Sequence, residues 1–122
     1  MHIQEFLNAQ NSSTDEILNY FGNPVMFLSI SSNTYTLPDA NENHADYGAK
    51  FWIELSWHQM EIDYPFDFAT NAFGRTFTEA LQRCIWIFIC EAQTYKDSNA
   101  EKIAKHLGIY EELLKIDLKD MR

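Results

Sequence analysis

Two cysteines, four glycines and three prolines are all that 122 residues contain of these types, and each shortage excludes a class of protein. Two cysteines cannot build the disulfide framework of a small secreted scaffold. A chain of this length buries enough core to need neither disulfides nor a structural metal, so one domain over residues 1–122 is the expectation. Four glycines leave little backbone for cradling phosphates, and no P-loop, GxGxxG or GxSxG occurs. The longest apolar run, Cys84 to Cys90 (CIWIFIC), has seven residues, against about 20 for a membrane-spanning helix. The N-terminal MHIQEFLNAQ has neither a basic n-region nor an apolar h-region. These shortages point to a cytoplasmic protein with reduced thiols and no membrane contact.

Positive charge is also scarce. Nine Lys and Arg stand against 18 Asp and Glu, a formal net charge of −9. Nucleic-acid affinity rests on Lys and Arg displacing counterions condensed on phosphates, so direct DNA or RNA binding is disfavoured. The same field favours a basic protein surface, of which nucleic-acid-handling proteins are the commonest kind; alternatively it only maintains solubility. The four histidines (His2, His44, His58, His106) are scattered, with no HExxH and no HxH, and no zinc site is expected. Asp39, Asn41 and Asn43 echo the first half of an EF-hand loop, but His44 stands where its glycine belongs and Lys50 where its bidentate acid belongs. No metal, cofactor or catalytic residue is assigned.

What the chain does have is apolar and aromatic residues, 46% and 15%, enough for a packed core. Ser12-Ser13-Thr14-Asp15-Glu16 offers hydroxyl caps and first-turn acids ahead of Ile17, Leu18, Tyr20 and Phe21, with Gly22 as a stop and Pro24 beyond it, and reads as a compact helix. Val25 to Ser31 reads as a buried strand followed by turn chemistry at Ser32-Asn33, with Tyr35 to Leu37 able to pair with it. Pro38 to Gly48 reads as a polar loop. Lys50 to His58 alternates, with Phe51, Ile53, Leu55 and Trp57 on one face and Trp52, Glu54, Ser56 and His58 on the other. Beyond it the phase flips to Met60, Ile62 and Tyr64, which suggests a bulge or tight turn at His58-Gln59.

Thr76-Phe77-Thr78-Glu79 is a capping box opening a long helix to Tyr95. On that helix Cys84 and Cys90 stand about 240° apart around the axis and about 9 Å along it, so they cannot pair or chelate together. On a strand they would be about 20 Å apart. Both readings make them small core hydrophobes. The fold class is therefore α+β: a short antiparallel sheet packed against a long central helix, with smaller helices at both ends and a core over about 14–95.

The tail from Asn99, the expected N-cap, reads as a helical hairpin over about 99–118: one helix to Leu107, a stop at Gly108, and a second helix from about Tyr110 to Asp117. Ile103-Ala104, Leu107-Gly108-Ile109 and Leu114 resemble the helix-turn-helix of DNA-binding repressors. In that family the second helix begins with base-reading residues, and here Glu111 and Glu112 hold that place, which cannot grip phosphates. A plain hairpin packed on the core is the alternative.

Functional expectation centres on Glu61-Ile62-Asp63-Tyr64-Pro65-Phe66-Asp67-Phe68. Acids alternate there with aromatics, and Tyr64, Phe66 and Phe68 cannot all point inward if the period of two persists past Pro65. Aromatic anchors rimmed by acids suit an interface against a basic protein. Glu61, Asp63 and Asp67, with Asp39, Glu42 and Asp46, would supply charge, and Tyr64 or Phe66 the anchor. The bland alternative is an edge strand running into a core-lining loop.

The helix, the strands with FWIELSW, and the segment AFGRTFTEALQRCIWI together are similar to small phage and prophage domains described as an α-β-α sandwich. The match runs from about Thr14 to Tyr95 and is carried by Thr78, Ala80 and Cys84. It implies a mobile-element origin and transfers no catalytic residue. In kind, a small acidic chain of such origin resembles phage inhibitors of host defence, including anti-CRISPR proteins. The expected function is a non-enzymatic inhibitor of a basic, nucleic-acid-handling protein. The alternatives are an immunity protein against a nuclease toxin, or a small enzyme or ligand-binding domain with its site around His58 and Trp52.

Overall fold

Period-two alternation in FWIELSWHQ makes a strand with one apolar face, and that strand becomes the centre of the sheet. The computed structural model of the chain describes residues 14–22, 26–34, 51–59 and 67–118. Within them three antiparallel strands, β1 (Met26–Thr34), β2 (Phe51–Gln59) and β3 (Asp67–Gly74), run in the order β1-β2-β3. Leu28 and Ile30 of β1 stand opposite Trp57 and Leu55, which in turn stand opposite Phe68 and Thr70 of β3. This register puts Leu28, Ile30, Ile53, Leu55, Trp57 and Phe68 on one face, where Leu28, Ile53, Leu55 and Trp57 are buried.

Three local expectations change. Ser32 and Asn33 are not a turn: they continue β1 and pair with Ile53 and Trp52, because a full-length partner strand outweighs the turn preference of two small polar residues. His58 and Gln59 stay in regular register with Phe27 and Met26, so no bulge interrupts β2. The third strand, DFATNAFG, was not anticipated, since Ala, Asn, Asp and Gly are poor strand formers and only Phe68 and Thr70 mark its inner face. Tyr35 to Leu37 and the loop from Pro38 to Gly48 lie outside the described residues.

The helices are α1 (Thr14–Phe21), α2 (Phe77–Thr94), α3 (Asn99–Leu107) and α4 (Tyr110–Leu114). Thr76 caps α2 as its sequence implies, its hydroxyl accepting the Glu79 N–H at 3.0 Å, while the Glu79 carboxylate pairs with Arg83 one turn on at 3.1 Å. Helix α2 lays Ala80, Leu81, Cys84, Ile85, Phe88, Ile89 and Ala92 into the core, against β2 and β3 on one side and α3 on another. That burial on more than one side explains why its middle is apolar nearly all round. Gly74 is where sheet and helix come closest: a Cβ there would fall on the backbone N of Ala80 and lie 2.9 Å from the Thr76 carbonyl.

Ser98, one residue before the expected Asn99, caps α3 by accepting the Glu101 N–H at 3.2 Å. Asn99 instead donates its side-chain amide to the Asp67 carbonyl at 2.8 Å, tying α3 to the start of β3. Glu101, only 5% exposed, accepts the Asp97 N–H at 2.7 Å and pairs with Lys105 at 2.7 Å. The hydrogen bond from Lys105, then that from Asp97, hold its carboxyl below the usual 4.5. Gly108, at φ 76°, ends α3 in the left-handed conformation that glycine adopts without strain. Helix α4 stops at Leu114 rather than Asp117, and Gln93 of α2 donates to the carbonyls of Leu113 and Ile116 at 2.7 and 2.9 Å. A five-residue helix pinned in this way, with Glu111 and Glu112 exposed in its first turn, forms the second arm of a hairpin packed on α2.

Candidate functional site

All the buried strand side chains point to one face of the sheet, so the opposite face decides what the sheet can touch. That outer face carries Ser29 and Ser31 of β1, Trp52, Glu54, Ser56 and His58 of β2, and Asp67, Ala69, Asn71 and Phe73 of β3, none of them buried. Its polar groups engage one another in short ladders. The Ser56 hydroxyl donates to Glu54 at 3.3 Å. His58 and Asp67, direct cross-strand neighbours, approach to 3.4 Å between Nδ1 and Oδ1 with both side chains substantially exposed. At the other end Trp52 stands opposite Phe73.

Of the residues expected to bind a partner, Asp67 is the one the described structure places: exposed, at the first position of β3, facing His58. Asp39, Glu42, Asp46, Glu61, Asp63, Tyr64 and Phe66 lie outside the described residues. Asp67 belongs to the inhibitor expectation and His58 to the enzyme alternative, and the sheet register brings them together. The missing signal was the third strand: without β3 nothing sets Asp67 across from His58. Trp52 and His58 share a face as expected, but six residues of extended chain hold them about 20 Å apart, so they do not frame one small-molecule site.

The thiols are separated in environment as well as in direction. Cys84 is fully buried, and its S–H donates to the Ile53 carbonyl at 3.4 Å. Burial pushes its pKa up to about 11, which leaves an inert thiol filling the space between β2 and β3. Cys90 is partly exposed, its sulfur 3.9 Å from the Thr94 hydroxyl, and both cysteines are free. Among the described residues no group of three or more His, Cys, Asp and Glu side chains is placed to hold a metal ion, and no helix is long and apolar enough to cross a membrane. A shallow depression of about 380 Å³ beside Lys105, Gly108, Tyr110 and Glu111 involves none of the candidate residues.

Charge is distributed unevenly along the chain. Residues 67–118 hold eight acids and six bases, and three acids there are paired within one helical turn: Glu79 with Arg83, Glu101 with Lys105 and Glu112 with Lys115. Residues 1–66 hold nine acids and a single base, Lys50. The surplus of carboxylates therefore belongs to the part of the chain that supplies β1, β2 and the segments on either side of them. No protein-family model, curated protein or solved structure matches this chain.

Proposed function

We propose that the chain is a non-enzymatic, cytoplasmic binding protein whose carboxylate-rich surface docks on a basic, nucleic-acid-handling protein and blocks it. The observation that carries this reading is the imbalance before residue 67. Nine acids stand against one base there, whereas residues 67–118 hold eight acids against six bases, with Glu79, Glu101 and Glu112 paired to Arg83, Lys105 and Lys115. Unbalanced carboxylates steer a basic partner and fix its orientation more than they stabilise the fold. The outer face of the sheet adds Glu54 and Asp67, with Trp52 and His58 beside them, to the carboxylates a basic partner would meet. The resemblance to phage-encoded domains narrows the partner to a host defence nuclease, making the chain an anti-CRISPR-like inhibitor. An immunity protein against a nuclease toxin would use the same physics.

A second reading, a small enzyme, is favoured by one observation: the carboxylate of Asp67 lies 3.4 Å from His58 Nδ1. Against it, the pair is open to solvent and the nearby Ser56 hydroxyl is turned to Glu54. A general base needs an oriented substrate beside it, and an open sheet face supplies no walls.

The test is retention of a nucleic-acid-handling protein from host extract on the immobilised chain at graded salt. Charge-driven docking gives retention that falls steeply between about 0.05 and 0.5 M salt, as the screening length shortens. The triple variant Glu61→Gln, Asp63→Asn, Asp67→Asn should lose the partner while its thermal midpoint stays unchanged. Retention indifferent to salt and to the triple variant would sink the reading.

A further inference from the structure

The two edges of the sheet are not equivalent. Strand β3 is clamped at both ends, the Arg83 guanidinium donating to the Phe73 carbonyl at 2.6 Å and the Asn99 amide to the Asp67 carbonyl at 2.8 Å. Those two carbonyls point away from β2. The alternation of an antiparallel ladder then determines the rest. Odd-numbered residues of β3 face its outer edge, even-numbered residues of β2 bond to β1, and in β1 the even-numbered residues, Leu28, Ile30 and Ser32 among them, turn N–H and C=O outward. Among the described residues no strand pairs with that edge and no side chain clamps it.

Natural edges are blunted by charge, proline or a bulge. MFLSISSNT, the sequence of β1, has no charge, no proline and no glycine, and its nine residues pair with β2 without interruption. In a chain with 27 Asp, Glu, Lys and Arg side chains, a bare strand of this length at an edge invites another strand. Its surroundings specify which kind. On the outer face Ser31 is small and stands opposite Glu54, so a long cation on an added strand would pass over the serine toward that carboxylate. On the inner face an added strand would lie beside Leu28 and Ile30, which pack into the core, so its alternate side chains would be apolar.

We propose that the edge of β1 left unpaired among the described residues receives an extended segment of the basic partner as a fourth strand, with Lys or Arg at alternate positions toward Glu54 and apolar residues between them. This rests on the reading that the partner is basic, and it gives that reading a docking mode: backbone hydrogen bonds supply affinity and the alternation supplies specificity. A second copy of the chain fits the edge less well, because pairing two bodies of net charge −9 brings like charges together.

The experiment uses the full chain and two synthetic peptides of equal composition, Lys-Val-Lys-Val-Lys-Val-Lys and a version with its lysines and valines in blocks. Amide hydrogen exchange should slow at Leu28, Ile30 and Ser32 with the alternating peptide and not with the blocked one. Ser32→Pro removes an outward N–H and leaves the β1–β2 ladder intact. It should weaken the alternating peptide by about tenfold or more, the loss of roughly one to two strand hydrogen bonds. If that variant does not fold, exchange on the unaltered chain decides alone. Equal binding of both peptides with unprotected β1 amides overturns the edge site and leaves the charge-driven reading standing. Protection of the same amides without peptide, rising with protein concentration, assigns the edge to a second copy and overturns the proposal. Failure of the alternating peptide to bind overturns it too, and the salt dependence of partner capture then judges the broader reading separately.

Discussion

Trp52 and Trp57 lie five residues apart on the same strand and meet opposite fates. Trp57 is fully buried, stacked on Phe88 with ring centroids 4.4 Å apart, and its indole N–H donates to the Phe21 carbonyl at 3.0 Å. One side chain thus joins the sheet to α2 and satisfies the last carbonyl of α1. Trp52, of opposite parity, stands on the open face across from Phe73 and remains partly exposed. The difference separates the work of the two faces: side chains of one parity hold the molecule together, and those of the other are available to something outside it.

The largest expected effect comes from breaking the inner side of that comparison. Trp57→Ala removes the stacked ring, orphans the Phe21 carbonyl and leaves a cavity, at a cost of about 3–5 kcal/mol. An unfolding free energy lower by that amount in a denaturant titration, or a chain that no longer folds, is the expected result. A loss below about 1 kcal/mol would mean that the sheet is not seated on α2 as described. Gly74→Ala probes the same face by adding volume. The new methyl meets backbone atoms of Thr76 and Ala80 rather than a movable side-chain end. The junction of β3 and α2 must shift, and overpacking of this kind costs about 1–3 kcal/mol, read from the same unfolding curve.

What was legible in the sequence follows the strength of each local pattern. The alternation around Trp52 and Trp57, the Thr76 cap, the Gly108 stop and the different directions of Cys84 and Cys90 were all readable, because each is set by neighbours within a few residues; that Cys90, unlike Cys84, is partly exposed rather than a core residue was not. Strand β3 was not, since Asp67 to Gly74 has weak strand formers and its pairing comes from β2 and from Arg83 and Asn99. The cap of α3 slipped by one residue because Ser98 and Asn99 are both good caps, and only the geometry decides which oxygen accepts. The same limit governed the candidate site. Acidity before residue 67 was plain from composition, while the neighbourhood of His58 and Asp67 depended on a strand no local pattern announced.

The smallest expected effect is the most discriminating. Trp52→Ala deletes as much side chain as Trp57→Ala, yet Trp52 contributes no buried hydrogen bond among the described residues and sits where solvent already reaches. Its removal should shift stability by less than about 1 kcal/mol, the cross-strand contact with Phe73 being worth a fraction of that. The same variant should weaken capture of a basic partner, because aromatic side chains near the centre of an interface carry much of its binding energy. Paired measurements on Trp52→Ala, one of unfolding and one of partner retention, therefore separate the two duties of β2. A variant that unfolds readily makes the outer face part of the architecture, and one that is stable and retains the partner fully moves the docking surface off the sheet.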